Sequence, residues 1–210
     1  PDMEDGTAPD MKDEGLENTI ELIPEYDFPG SIWPRVEWSY EDASFRDRGR
    51  EQIDRLVAEI GDEIDGVVVP KVGRLSDVER AADAVAEAEA EHGYADGSIG
   101  LSVIIETARA KSDLRKIAAF GADSRLTALV FGPVDYTAEL GGRDLGDGRP
   151  RWDGLLEELS NEASAGDLLS IGGPFDDLFK ERAGLTYYNA EDYADQVERE
   201  AELGLDGSWS

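Results

Sequence analysis

The sequence predicts an α/β fold, a (β/α)8 TIM barrel built on parallel strands, and two observations support this prediction. Short, nearly continuous apolar runs at 66–69, 101–105 and 126–131 alternate with segments whose apolar residues recur at helical spacing. Such alternation is typical of buried parallel strands that are joined by helices. The number of strand and helix repeats favours a barrel over an open sheet.

The predicted elements run through the whole chain, which we interpret as one partial barrel domain over residues 1–210. Strands are expected at 32–36, 66–69, 101–105, 126–131, 168–171 and from 205 onward, with helices around 53–60, 76–92, 114–118 and 191–203. Ser76 is expected to cap the second of these helices. We expect the first strand and helix of the barrel to be missing, the last strand to be cut, and a C-terminal lid to be absent from this chain.

The amino-acid composition indicates which classes of binding partner the protein can have. Of the 210 residues 40% are hydrophobic, whereas 49 Asp and Glu against 20 Lys and Arg give a net charge of -29. Such a surface repels nucleic acid and anionic lipid, so neither is expected as a partner. The acidic excess is spread along the chain, which indicates adaptation to high salt. No apolar run is long enough for a membrane span, and we expect a cytoplasmic protein.

Cysteine and histidine usage excludes several kinds of chemistry. The chain has no Cys, which excludes disulfides, thiolate nucleophiles and Cys-ligated zinc. Its single histidine, His92, lies at the end of an Ala- and Glu-rich segment and is followed by Gly93, a pattern typical of a helix C-terminus. A Ser-His-Asp triad is therefore not expected.

Two carboxylates follow apolar runs and predict a metal site. Glu106 ends the run 103–105, and Asp135 follows 129–131 through Gly132 and Pro133. The two acids lie 29 positions apart, about one strand and helix repeat, so they would end adjacent strands and converge on one ion. Mg²⁺ prefers such oxygen ligands. The alternative for either acid taken alone is a helix N-cap.

Two further groups of charged residues lie where they would reach the same barrel mouth. Arg35, at the end of the strand 32–36, can stabilise a carboxylate or an enolate oxygen, or else form a structural ion pair. The cluster Asp2, Glu4 and Asp5 requires a neutralising cation if it is buried. The spacing alone favours a solvated run of charges for this cluster.

These segments together resemble one family. Asp2-Met3-Glu4-Asp5 with Lys12, Pro34-Arg35-Val36, Val69-Pro70-Lys71-Val72, Ile105-Glu106-Thr107-Ala108 and Phe131-Gly132-Pro133-Val134-Asp135 occur in the order expected of the citrate lyase β-subunit-like branch of the HpcH/HpaI aldolase superfamily. Each motif alone is weak, whereas five in the expected order are specific. The stretch 2–9 and the strand around Arg35 look closest to haloarchaeal malyl-CoA and β-methylmalyl-CoA lyases and a short malate synthase.

The resemblance implies a Mg²⁺-dependent acyl-CoA lyase that cleaves malyl-CoA or β-methylmalyl-CoA to glyoxylate and acetyl-CoA or propionyl-CoA. Glu106 and Asp135 would hold Mg²⁺, with Mn²⁺ as the alternative ion, and the metal would chelate the 2-oxo acid. Arg35 would contact the reacting carbonyl, while Glu4 and Asp5 would support the metal waters and the arginine. Lys12 and Pro133 would contact the CoA part of the substrate. A homo-oligomer, either a trimer or a hexamer, is expected.

Alternatives remain open at this stage. The general base is expected on the C-terminal lid of a neighbouring subunit, outside this chain. After Lys12, residues 13–18 lack the further basic residue that relatives often carry, which weakens the expectation of a CoA phosphate contact there. Malate synthase, a CoA-independent class II 2-oxo acid aldolase, and a binding or regulatory barrel without turnover are the competing functions.

Overall fold

Parallel strands form the centre of the protein, as the apolar runs predict. The computed structural model describes residues 1–141, 152–175, 179–182 and 185–209. A five-stranded parallel sheet contains, in spatial order, β1 (Gly66–Val69), β2 (Gly100–Ile105), β3 (Leu126–Phe131), β4 (Leu169–Gly172) and β7 (Gly207–Ser208). The side chains of β2 are almost all buried, because helices cover one face of the sheet and the barrel interior covers the other.

Two single-residue bridges extend the sheet beyond β1. Asp2 pairs in parallel with Arg35, and Arg35 pairs in parallel with Val68. The strand predicted at 32–36 therefore forms only a single-residue bridge at Arg35. With the five strands and the bridging residues Asp2 and Arg35, the described residues supply seven parallel positions in the sheet. The Arg35 guanidinium lies 5.2 Å from the ring centroid of Trp209, which follows the strand at the opposite edge. This contact requires the sheet to curl round, as it does in a TIM barrel.

Seven helices lie in the described part of the chain, and most follow a strand. They are α1 (Lys12–Leu22), α2 (Ala43–Ile60), α3 (Leu75–His92), α4 (Ala108–Gly121), α5 (Pro133–Glu139), α6 (Asp153–Ala165) and α7 (Ala190–Glu202), with 3₁₀ turns at Pro9–Met11 and Ile23–Glu25. The helical spacing in α2 buries Ile53, Leu56 and Val57 in the hydrophobic core. None of the described helices is long and apolar enough to cross a membrane.

The ends of α3 test two of the sequence predictions. The expected cap at Ser76 is wrong, because the helix already begins at Leu75. Instead, the Asp77 carboxylate accepts hydrogen bonds from the backbone N–H groups of Gly73 at 3.1 Å and Arg74 at 3.0 Å. The expected C-terminus is confirmed, since α3 ends at His92 and Gly93 follows with a φ of 83°.

Helices α1, α5 and α6 and one pair of strands were not predicted from the sequence. Strands β5 (Phe179–Arg182) and β6 (Leu185–Tyr188) form an antiparallel pair apart from the main sheet. The side chains of β6 are exposed, so no alternation of buried and exposed positions marks it in the sequence. Helix α5 begins two residues after the end of β3, and residues 142–151 lie outside the described residues.

Candidate active site at the carboxyl ends of the strands

The sequence-predicted site residues lie at the same edge of the parallel sheet. Glu106 follows β2 directly, and Asp135 lies in the first turn of α5, four residues after β3. The two strands are neighbours, with Ile105 paired to Phe131 at their carboxyl ends. The chain thus brings the two acids to adjacent positions at the mouth of the barrel, as their spacing predicts.

Glu106 is a buried carboxylate with one oxygen held and one left open. Its side chain belongs to a residue only 4% exposed, and Oε1 accepts a hydrogen bond from the backbone N–H of Lys71 at 2.7 Å. Within the described part of the chain, no donor hydrogen-bonds Oε2. Gly132 leaves room for this carboxylate, because a Cβ at that position would lie 2.6 Å from Glu106 Cβ and closer still to Oε2.

Burial strongly perturbs the ionisation of Glu106. Desolvation raises the pKa of its carboxyl group to about 8, and the nearby charges of Asp135 and Glu4 act in the same direction. The Lys71 N–H hydrogen bond and the Lys71 ammonium oppose the increase. A carboxylate in this environment is stabilised by a cation, so the site favours the binding of one.

The N-cap alternative for the two acids does not describe this structure. The N-cap of α4 is Thr107, whose Oγ1 accepts a hydrogen bond from the Ala110 N–H at 2.9 Å. The N-cap of α5 is Gly132, and no side-chain capping bond is found there. Asp135 is half-buried and, among the described residues, makes no hydrogen bond through its carboxylate. Both acids therefore remain available to a ligand at the mouth.

Arg35 is held rigidly beside these acids. Its Nε donates to Asp2 Oδ1 at 2.7 Å, and Nη2 pairs with Asp2 Oδ2, which makes the contact bidentate. Its Nη1 lies 3.6 Å from Glu4 Oε2. Burial raises the pKa of the Asp2 carboxyl, but the hydrogen bonds from Arg35 and from the Glu4 and Gly6 N–H groups outweigh it, and the pKa is lowered. The ion-pair alternative for Arg35 is thus present in the structure, with a bidentate pair to Asp2 and a longer pair to Glu4.

Lys71 neutralises the N-terminal acids. Its Nζ pairs with Glu4 Oε1 and lies 2.9 Å from Asp5 Oδ2. Glu4 is only 5% exposed, and burial raises its pKa despite the contact with Lys71. For Asp5, burial also acts to raise the pKa, but the Lys71 hydrogen bond, the Lys71 charge, the hydrogen bond with Glu4 and the Arg35 charge together outweigh it, and the pKa is lowered. The solvated run of charges that the spacing favours is therefore wrong for Glu4, which lies in a compensated cluster.

Sequence reasoning did not identify Lys71 as a site residue. The segment Val69-Pro70-Lys71-Val72 is one of the motifs that carry the family resemblance, but the sequence assigns no role to the lysine itself. The available signal was the position of a lysine two residues after β1, at the same sheet edge as Glu106. Its partners come from segments distant in sequence, so no local pattern identifies them.

Lys12 and Pro133, the two residues expected to contact CoA, lie in different local environments. The Nζ of Lys12 donates to the backbone oxygen of Met3 at 3.1 Å and to that of Glu4, so this ammonium fixes the loop that carries Glu4 and Asp5. Pro133 begins α5 and is half-buried. The CoA contacts of both residues stay predictions.

A second cluster of potential ligands lies elsewhere. Within the described ranges, Asp54, Glu91 and His92 are the only three His, Cys, Asp or Glu side chains whose ligand atoms all lie within 4.8 Å of one another. His92 Nε2 is 2.8 Å from Asp54 Oδ1. Glu91 and His92 lie at the C-terminal end of α3, which leads to the amino end of β2 and thus to the opposite edge of the sheet from Glu106, while Asp54 lies within α2. The contact between His92 and Asp54 at the end of a helix explains this group without a metal ion.

The fold and the site define a class of protein: a TIM barrel with converging carboxylates and a fixed arginine at the carboxyl ends of its strands. A family model described as "HpcH/HpaI aldolase/citrate lyase" matches residues 2–150, and the chain belongs to this family. The resemblance that the motifs indicate is therefore confirmed.

Two individual relatives show which named members of the family the chain is similar to. The chain is 62% identical over 212 residues to the L-malyl-CoA/beta-methylmalyl-CoA lyase of Haloarcula marismortui, covering 100% of this chain and 61% of that protein. It is 35% identical over 220 residues to the malate synthase of Haloferax volcanii, again over its whole length but only 49% of the relative. The chain thus spans about half to three fifths of the length of these two relatives.

A solved structure extends this similarity to three dimensions. The Haloferax volcanii malate synthase magnesium/glyoxylate complex superposes with a TM-score of 0.89 at 32% identity, covering 100% of this chain and 61% of that one. Because the structural similarity extends over the entire chain, it confirms the TIM-barrel fold class.

Proposed function

We propose that this chain forms the metal-binding part of a Mg²⁺-dependent acyl-CoA lyase. The enzyme would reversibly cleave malyl-CoA or β-methylmalyl-CoA to glyoxylate and acetyl-CoA or propionyl-CoA. The observation that carries this proposal is the buried Glu106 carboxylate beside Asp135, at the end of the sheet where barrels build their active sites. The 62% identity to a protein named as such a lyase supports the choice of substrate class.

The donor set fits Mg²⁺. Glu106 and Asp135 would hold the ion, because both supply carboxylate oxygen and Glu106 Oε2 has no hydrogen-bond donor within the described part of the chain. A site with one or two carboxylates leaves the remaining positions to water and to substrate oxygens. When bound, Mg²⁺ supplies Lewis-acid polarisation of the 2-oxo acid. Mn²⁺, which also prefers oxygen ligands, is the alternative ion.

Arg35 would stabilise the charge that develops during cleavage. The 2-hydroxyl group of the substrate loses its proton, the bond between C2 and C3 breaks, and its electron pair moves onto the thioester as an enolate. Protonation of that enolate completes acetyl-CoA or propionyl-CoA, while C1 and C2 leave as glyoxylate. The guanidinium is already fixed by Asp2, so it needs little reorganisation to hold an oxygen that becomes negative.

Glu4 and Asp5 would not contact the reacting atoms but would act through the groups that do. Glu4 lies between the Arg35 guanidinium and the Lys71 ammonium, and it is buried. We propose that it orients Arg35 and the water molecules of the metal shell. We also propose that the general base lies on a C-terminal lid of a neighbouring subunit, outside this chain, and that the protein is a homo-oligomer. A cytoplasmic location and CoA contacts by Lys12 and Pro133 are further proposals.

The function is tested by following the products of malyl-CoA separately. The whole protein is incubated with malyl-CoA in molar KCl, with either Mg²⁺ or EDTA, and glyoxylate, malate and free thiol are measured. Glyoxylate that appears without free thiol and is abolished by EDTA is the expected result. Malate with free thiol would identify a malate synthase or thioesterase instead. No turnover in either condition would favour a CoA-independent aldolase or a non-catalytic barrel.

A further inference from the structure

Lys71 has a backbone conformation that only a minority of non-glycine residues adopt. Its φ is 48°, in the left-handed region, and it follows β1 through Pro70. In this conformation its backbone N–H donates to Glu106 Oε1, while its side chain reaches Glu4 and Asp5. One residue therefore contacts acids that come from two different strand ends. Uncommon backbone conformations of this kind concentrate at functional sites.

The charges at the mouth are unbalanced without this lysine. Glu4, Asp5, Glu106 and Asp135 are four carboxylates that interact electrostatically with Lys71 or with one another. Arg35 pairs bidentately with Asp2 and only approaches Glu4. Among the described residues, Lys71 is consequently the cation that pairs with both Glu4 and Asp5.

A divalent ion at Glu106 and Asp135 would otherwise attract further acids. Two carboxylates neutralise such an ion, and Mg²⁺ in catalytic sites usually keeps several waters beside one or two carboxylates. If Glu4 or Asp5 also entered the coordination shell, it would occupy a position that the proposed reaction requires for the 2-oxo acid. The ammonium of Lys71 holds both of these carboxylates in a contact that competes with the metal.

We propose that Lys71 is a positioning residue that keeps Glu4 and Asp5 outside the coordination shell, so that sites on the ion stay open to water and substrate. This inference rests on the proposed function. The backbone N–H of Lys71 fixes the Glu106 carboxylate, which would bind the ion. The Lys71 side chain holds the Glu4 and Asp5 carboxylates away from the ion. The left-handed conformation makes both contacts available from one residue.

The test uses Mn²⁺ as the probe and counts its bound waters. Mn²⁺ binding to the whole protein is followed by electron paramagnetic resonance, and the number of exchangeable waters is followed by water proton relaxation. Lys71→Met keeps the length of the side chain but removes its charge. We expect this variant to lose at least one bound water and to show a several-fold higher KM for glyoxylate in the condensation direction. Removal of a positive charge tightens Mn²⁺ binding by itself, so the water count is the decisive readout.

Combined and control variants isolate the cause. Adding Glu4→Gln and Asp5→Asn to Lys71→Met should restore the wild-type number of waters, because the acids that enter the shell are then neutral. Lys116→Met, which removes an exposed ammonium paired with Asp113 in α4, should change nothing. If Lys71→Met does not fold, Glu4→Gln with Asp5→Asn in the wild-type background still tests the inference. That double variant should keep the same number of waters.

The outcomes separate this inference from the proposed function. A Lys71→Met protein with the wild-type water count overturns the inference alone, as does a gain of waters in the Glu4→Gln, Asp5→Asn protein. A wild-type protein that binds no Mn²⁺ overturns the proposed function and the inference together. Loss of Mn²⁺ binding in Glu106→Gln, with a lower water count in Lys71→Met, supports both.

Discussion

Gly132 lies against Glu106 so closely that a single added carbon would displace the carboxylate. A Cβ at position 132 would lie 2.6 Å from Glu106 Cβ and closer still to Oε2, and it would also meet Ile104. We therefore expect Gly132→Ala to weaken Mg²⁺ binding at least about tenfold, because Glu106, the proposed metal ligand, can no longer keep its position. Calorimetric titration of the variant with Mg²⁺ checks this expectation.

A matched glycine provides the control for that experiment. Nothing lies within 4 Å of a Cβ built at Gly154, in helix α6. Gly154→Ala should keep the wild-type Mg²⁺ affinity and, as an alanine in a helix, stabilise the protein by about 0.5 to 1 kcal/mol. Equal Mg²⁺ affinity in both variants would show that the carboxylate of Glu106 does not bind the ion.

Glu106 should make the metal-free protein less stable as the pH rises. Its folded pKa of about 8 lies above its ordinary value of 4.5, so the folded state retains a proton that the unfolded state has already released. The stabilisation from this group is complete below the unfolded pKa and is lost as the pH rises towards about 8. Urea unfolding in EDTA measures this, and Glu106→Gln should remove this part of the slope. The exposed Asp123→Asn should retain it.

The same proton should compete with the metal. Because Mg²⁺ binds the ionised carboxylate, its apparent affinity should rise by up to about tenfold per pH unit below pH 8 and level off above it. Titrations in two buffers with different ionisation enthalpies would reveal the released proton. A Mg²⁺ affinity that is constant from about pH 6 to about pH 8 would contradict the assignment of Glu106 as a ligand.

Arg35 should not tolerate replacement by lysine. A lysine keeps the charge but lacks the planar fork that pairs with both oxygens of Asp2 while it faces Glu4. We expect Arg35→Lys to lower kcat/KM for malyl-CoA about a hundredfold while the protein remains folded. Arg50→Lys, at an exposed pair with Glu87, should stay within about twofold. Similar activity in the two variants would remove Arg35 from the reaction.

Salt should stabilise this protein. The net charge of -29 produces self-repulsion in the folded state, and the Debye length falls from about 10 Å at 0.1 M to about 3 Å at 1 M. The midpoint of thermal unfolding should therefore rise with KCl over that range. Sorbitol at a matched water activity, which does not screen charge, is the control. An unfolding midpoint that is independent of KCl would show that the acidic surface has another role.

The sequence predicts the structure best where a local residue pattern coincides with the length of one strand and helix repeat of the barrel. The apolar runs of β2 and β3 predict strands because they are buried on both faces, and the 29-residue separation of Glu106 and Asp135 follows from one barrel repeat. Both acids consequently lie at adjacent strand ends. The glycine after His92 likewise predicts a helix end, because the left-handed conformation there favours glycine.

Other features depend on contacts that a local pattern does not contain. The role of Lys71 arises from Glu4 and Asp5, more than sixty residues earlier in the chain. The family resemblance assigns Lys12 to the CoA part of the substrate, and no local pattern indicates that its ammonium donates to two backbone carbonyl groups. The burial of Glu4 was likewise missed, because a run of acids is ordinarily solvated unless cations from distant segments compensate it.

The central claim is that Glu106 and Asp135 hold a divalent ion to which a 2-oxo acid binds. The most direct measurement is calorimetric titration of the whole protein with glyoxylate, with Mg²⁺ or with EDTA, and repeated on Asp135→Asn. We predict glyoxylate binding only in the wild-type protein with Mg²⁺. Equal binding of glyoxylate in EDTA, or an unchanged affinity in Asp135→Asn, would contradict the account.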